Sequence, residues 1–340
     1  MKKILLRCLA LSLCFLLLSG LFFPLLSCRP QKKEGRLLIV TTVFAVYDWA
    51  REILGDRAGM ADLVLLTDSG TDMHSLQPTV DDLICLHSAD LVLSVGGESE
   101  KWVAEALQDA PDIGIRLELL TVLADSIVRE EHKEGMQGDH DHDREEEEEH
   151  GQEEEEHDQE EGEADEHVWL SLKRAKVACR AIAGALSSLD PAGKEIYETN
   201  CAQYEEKLTK LDILYQNAVD AAEKKTLVFA DRFPFRYLTE DYGLDYYAAF
   251  PGCSAETDAA FGTVIGLARR VDEAGLRVIL TLEGSDGRIA RQIAESTAAK
   301  DQKICRLDSM QSVTAEKIRR GMTYLSVMES NLAVLSEALG

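Results

Sequence analysis

Residues 191–224 read PAGKEIYETNCAQYEEKLTKLDILYQNAVDAAEK. After Gly193 the stretch has no glycine or proline, and Ile196, Leu208, Leu211, Leu214 and Val219 recur at near-helical spacing. A continuous helix of about 30 residues spans about 45 Å, which is long for a core element and suits a rigid connector. What it connects can be read on either side. Before it, RLLIVTTV (36–43), ADLVLLT (61–67), DLVLSVGG (90–97) and IGIRLELL (113–120) are apolar runs separated by helical patterns, with Pro78 placed to open one helix and Ser171 to cap another. After it, TLVFA (226–230), LDYYAAF (244–250), LRVILTL (276–282) and QKICRL (302–307) repeat the alternation, and a last helix is expected over 314–339. Strand and helix in turn give a parallel sheet with helices on its faces. The expected fold is therefore α/β, with two parallel-sheet α/β lobes (36–190 and 225–340) joined by one long connecting helix over 191–224.

Charge is concentrated in one place. Residues 130–166 hold 21 Asp or Glu against Lys133 and Arg144, a net of −19 in a chain whose formal charge is −26. Such a run repels itself and buries nothing, so it reads as a disordered insertion in the first lobe and argues against nucleic acid as its partner. It also carries His132, His140, His142, His150 and His157, five of the eight histidines. Imidazole interleaved with carboxylate suits weak, multidentate capture of divalent metal.

The amino terminus, MKKILLRCLALSLCFLLLSGLFFPLLSC, has a cationic start, an apolar middle and a small residue before its polar junction. Its apolar run is long enough to cross a membrane, but the three features together are those of a secretion signal. Leu25, Leu26, Ser27 and Cys28 resemble the lipobox of bacterial lipoproteins. That implies cleavage before Cys28, lipidation of its thiol, a short tether over 29–35, and an extracytoplasmic protein anchored to a bacterial membrane. Five further cysteines, Cys85, Cys179, Cys201, Cys253 and Cys305, form no CxxC pair and make neither a disulfide framework nor a cysteine zinc site.

Ligands of open parallel sheets bind beyond the carboxyl ends of the strands. The residues just past each expected strand are Asp68, Asp72, His74 and Glu98 in the first lobe. In the second they are Asp231 with Arg232, Cys253 with Glu256, Glu283 with Asp286, and Asp308. His167 joins them from the edge of the acidic insertion. Metal-binding residue types thus collect on both sides of the expected cleft between the lobes, where Glu283, Arg232 and Cys253 are expected as lining.

These segments resemble the zinc- and manganese-binding solute receptors of bacterial ABC importers. The likeness is carried by GTDMHSLQPTVDDLICLHSADLVLSVGGESEKWV (70–103), DEHVWLSLKRA (165–175), VFADRFPFRYLTEDYGL (228–244) and the closing ICRLDSMQ with its helix. It implies two lobes bridged by a long helix with the metal between them, His74 and His167 as first-lobe ligands and Asp308 as a second-lobe ligand. Where the family usually places His or Glu in the second lobe this sequence has Ala230, which leaves Glu256, or alternatively Asp231, to complete the site. Such a donor set accepts Zn²⁺ or Mn²⁺. The resemblance further implies a monomeric carrier of Zn²⁺, with Mn²⁺ next, that delivers its ion to an ABC permease and performs no catalysis. A surface metallohydrolase using the same cluster would need a base such as Glu283 or Glu256, yet no HExxH, GxSxG or P-loop is present. A metal-dependent adhesin would use the acidic loop instead of the cleft.

Overall fold

The computed structural model describes residues 34–108, 114–137, 163–254 and 258–340. Cys28, four of the five loop histidines (His140, His142, His150, His157) and Glu256 lie outside these residues. In the first lobe the elements are β1 Leu37–Thr41, α1 Phe44–Leu54, β2 Ala61–Leu65, α2 Val80–His87, β3 Leu91–Ser94, α3 Lys101–Ala106, β4 Ile115–Glu118, α4 Leu119–Val122 and α5 Leu172–Leu189. The long helix α6, Lys194–Ala221, follows. The second lobe has β5 Thr226–Arg232, α7 Arg236–Tyr242, β6 Asp245–Phe250, α8 Phe261–Ala274, β7 Val278–Leu282, α9 Arg288–Ser296, β8 Lys303–Leu307, α10 Ala315–Arg319 and α11 Tyr324–Leu339. All strands are parallel, in the orders β2-β1-β3-β4 and β6-β5-β7-β8.

The central strands read as unbroken apolar runs because both their faces are covered: every residue of β3 and of β7 is buried. Helix α6 has 28 residues, about 42 Å of rise, and buries one stripe from Tyr197 through Leu208 and Tyr215 to Val219. Two expected helix limits shift. Pro78 stands outside α2, which starts at Val80 behind a capping box between Thr79 and Asp82. The expected 314–339 helix is two, because Gly321 at φ 93° ends α10 and Thr323 caps α11 afresh.

One hydrophobic core runs through both sheets, α1, α5, α6 and α11. Buried polar contacts tie the same elements: Tyr324 N donates to Asp48 Oδ2 (2.8 Å), Tyr324 Oη to Trp169 O (2.6 Å) and Tyr215 Oη to Met328 O (2.6 Å). Among the described residues, no helix is long and apolar enough to cross a membrane.

The acidic insertion is stapled at its base. Arg129 and Ala164 form an antiparallel bridge, flanked by Glu130 N to Glu163 O and Asp165 N to Val128 O. His132 is exposed. Asp165 and Glu166, expected as the end of a solvated run, are 2% and 3% exposed. They belong to the structured site.

Candidate metal centre

His74 and His167 meet between the lobes with their Nε2 atoms 3.1 Å apart. Each stands two residues after an aspartate that holds its backbone. Asp72 caps the short turn Met73–Ser75 and accepts from His74 N (3.0 Å), while Met73 anchors that turn in the core. Asp165 Oδ1 accepts from His167 N (2.8 Å) and from His167 Nδ1–H (3.0 Å). His167 is fully buried, with Trp169 edge-on at 5.4 Å and the Trp169 Nε1–H donated to Ser309 O.

The opposite nitrogen of His74 is also occupied. Its Nδ1 lies 2.6 Å from Ser99 Oγ, and the Ser99 hydroxyl and amide both donate to Glu166. Ser99 thus accepts from His74 Nδ1–H and passes the polarity on to the carboxylate. Gly97 makes room for this: at φ 86°, a Cβ there would sit 2.3 Å from Glu166 Oε1. With both Nδ1 atoms protonated, both Nε2 lone pairs point at one locus. Their separation is close to the about 3.3 Å that two nitrogens span on a tetrahedral ion with bonds of about 2.0 Å. Carboxylate–histidine pairs of this kind fix the tautomer and raise the basicity of metal-binding rings.

The rings share a small space and cannot both be charged. Burial and the facing His167 lower His74 to about 3. Burial pulls His167 down as well, but Asp165, with Glu130 and Glu166 behind it, more than offsets that and the group ends above its ordinary value.

The rest of the expected set is arranged differently. Ala230 is buried among apolar side chains of the second lobe. The β5 residue that reaches the histidines is Arg232, through an irregularity in register between Phe229 and Arg232, and its guanidinium pairs with Asp72 at 2.8 Å. That partner holds Asp72 below the usual carboxylate range despite its burial. Asp231 turns away, its Oδ1 accepting from Arg232 N and its Oδ2 from Leu282 N. Asp308 does not join the histidines: its Oδ1 accepts from Met310 N, and burial raises its carboxyl. Glu283 braces the same turn, accepting from Ser309 N, Ser309 Oγ and Gln311 N. Burial and the neighbouring Asp308 push Glu283 up to about 7.

What stands beside His167 from that side is Gln311, whose Nε2 donates to His167 Nε2 at 3.1 Å. Among the described residues the atoms able to hold one metal together are the imidazole nitrogens of His74 and His167 and the sulfur of Cys253, all within 4.8 Å of one another. Next to them opens a cavity of about 610 Å³ bordered by Asp72, Asp231, Arg232, Glu283, Asp286 and Arg288. Sequence reasoning missed Asp165, Glu166, Ser99 and Gln311. The repeated Asp-x-His spacing at 72–74 and 165–167 was a usable signal for the first of these; Gln311 carried none.

The chain has well-described relatives. The model of the family described as ZnuA, zinc-uptake complex component A, periplasmic, matches residues 39–338. The zinc-binding lipoprotein AdcA of Streptococcus pneumoniae is 31% identical over 338 residues, 99% of this chain and 61% of that protein. The chain therefore spans less than two thirds of AdcA. The high-affinity zinc uptake system protein ZnuA of Bacillus subtilis is 28% identical over 326 residues, covering 96% of this chain and 95% of the other. The Zn(II)-bound ZnuA-like domain of Streptococcus pneumoniae AdcA superposes with a TM-score of 0.69 at 26% identity, over 90% of this chain and 99% of that domain. With its two parallel-sheet lobes and paired buried histidines, the chain belongs to the ZnuA family of zinc-uptake components.

Proposed function

We propose that this chain is an extracytoplasmic receptor that captures a divalent transition metal, Zn²⁺ before Mn²⁺, and hands it to an ABC permease. The observation that carries the reading is the pair of Nε2 lone pairs 3.1 Å apart, each fixed from behind by a hydrogen-bonded Nδ1. His74 and His167 bind the ion directly, and Asp165, Ser99 and Glu166 orient them. Burial suits capture: a cation held there exchanges water for neutral rings backed by carboxylates, and no catalytic step is involved. The names of AdcA and ZnuA support zinc as the cargo. Cys28 carries the lipid that holds the monomer at the membrane surface. The histidines of the acidic insertion, His132, His140, His142, His150 and His157, gather metal weakly.

Isothermal titration of the chain from residue 29 onward tests this. One Zn²⁺ per chain should bind at micromolar affinity or tighter after the insertion is deleted, and His74→Ala should abolish that event. Unchanged affinity in the His74→Ala chain would overturn the assignment.

A further inference from the structure

We infer that the Cys253 thiolate is the third ligand of this centre, making it a two-nitrogen, one-sulfur site that selects thiophilic metals over Mn²⁺. The inference rests on the receptor reading above and deepens it. Three observations carry it. Cys253 Sγ lies within 4.8 Å of both imidazole nitrogens, and among the described residues it alone completes a three-donor cluster with them. The loop after β6 is built for that approach: Gly252 runs against the His167 ring, where a Cβ would be 3.2 Å from His167 Cε1 and 2.9 Å from Phe233 O. Finally, the second-lobe side chains nearest the histidines are ill suited to complete the set, since Arg232 is cationic and Gln311 directs its amide N–H at His167 Nε2.

A tetrahedral ion with Zn–S of about 2.3 Å and Zn–N of about 2.0 Å needs N···S separations of about 3.6 Å, so Sγ moves inward by about 1 Å at most. As the S–metal bond forms, the thiol proton leaves to solvent, the Gln311 amide N–H releases His167 Nε2, and both rings bind through their Nε2 lone pairs. Thiolate favours zinc, cobalt and cadmium, whereas manganese prefers oxygen. A fourth position remains for water.

Cobalt(II) is the probe. The wild-type chain from residue 29 onward, loaded with one equivalent of Co²⁺, should show a near-ultraviolet thiolate-to-cobalt charge-transfer band. Cys253→Ser, nearly isosteric, should lose that band and weaken Zn²⁺ binding by at least about tenfold, with Mn²⁺ changed less than about threefold. Stoichiometric Co²⁺ binding in wild type without the thiolate band would overturn the Cys253 assignment while leaving the receptor reading intact. So would a loss of affinity in Glu256→Gln with none in Cys253→Ser. Failure to bind Co²⁺ or Zn²⁺ at all would instead sink the receptor reading itself. Because the wild-type spectrum decides the case alone, a variant that misfolds does not.

Discussion

The two sides of the His74–His167 pair are built on different principles. On one side, each histidine is carried by an Asp-x-His turn whose aspartate accepts that histidine's backbone N–H, and Asp165 directly and Glu166 through Ser99 hold the rings. On the other side, polar groups serve one another: Glu283 is committed to the Asp308–Gln311 turn, Asp308 to Met310 N, and Arg232 to Asp72. A buried carboxylate that accepts several protein N–H groups has little left to offer an ion, and a guanidinium offers nothing. The difference teaches that proximity to the cleft does not make a ligand. What matters is whether a donor's lone pair is aimed at the ion's place and held there by nothing stronger than one neutral N–H, as at His167.

The largest expected effect lies on the self-satisfied side and concerns stability. Glu283 is held near 7, above its unfolded value, so the fold favours its protonated form. The associated stability is present below the unfolded pKa and is lost as pH rises from about 4.5 through about 7. Its ceiling is about 3 kcal/mol, reduced by the solvent that reaches the carboxyl from the cavity. Urea unfolding of chelator-treated protein should show a lower midpoint at pH 8 than at pH 5. Glu283→Gln should shrink that difference; an identical pH dependence in the variant would show that Glu283 is no more strained than a surface carboxylate.

Breaking the ligand-serving side should cost affinity directly. Asp165→Ala removes the acceptor of both His167 N–H groups and frees the ring to rotate, so Zn²⁺ affinity should fall between about 10- and 100-fold, read by competition with a chromophoric chelator. The opposite sign is expected across the cleft. Arg232→Gln removes a cation that already depresses His74, so Zn²⁺ should bind about tenfold more tightly. A weaker affinity would mean that the Arg232–Asp72 pair holds the lobes in their binding geometry.

Much of this was legible beforehand, for identifiable reasons. The eight strands could be placed because parallel strands covered on both faces leave continuous apolar runs, and α6 because nothing in residues 194–221 breaks a helix. His74 emerged from looking past strand ends, and His167 from the edge of the acidic insertion just before the helix that Ser171 caps. Ala230 misled because alternation along β5 fails at the irregularity between Phe229 and Arg232, which brings Arg232 into the cleft. Glu166 was hidden by composition: in a run of acids, nothing local distinguishes a carboxylate that the backbone carries inward, and only the Asp-x-His spacing shared with 72–74 marked Asp165. Cys253 was collected with the strand-end residues, yet its distance to the histidines is a property of loop packing alone.

The smallest expected effect discriminates most sharply between the two sides. Asp308 was expected as a ligand, and the structure has it capping a turn whose Met310 adopts φ 63°. Asp308→Asn keeps an oxygen that accepts from Met310 N, so the turn is retained. Removing a charge that does not touch the ion should change Zn²⁺ affinity by less than about threefold. It should also lower the pH at which the Glu283 contribution disappears, because the Asp308 carboxylate is the second cause of that rise after burial. If Asp308 bound the metal, the same substitution would replace a charged ligand by a neutral one and cost at least about tenfold, alongside the same shift of the Glu283 transition. Measuring affinity on the one variant therefore separates a carboxylate that binds the ion from one that shapes the wall beside it.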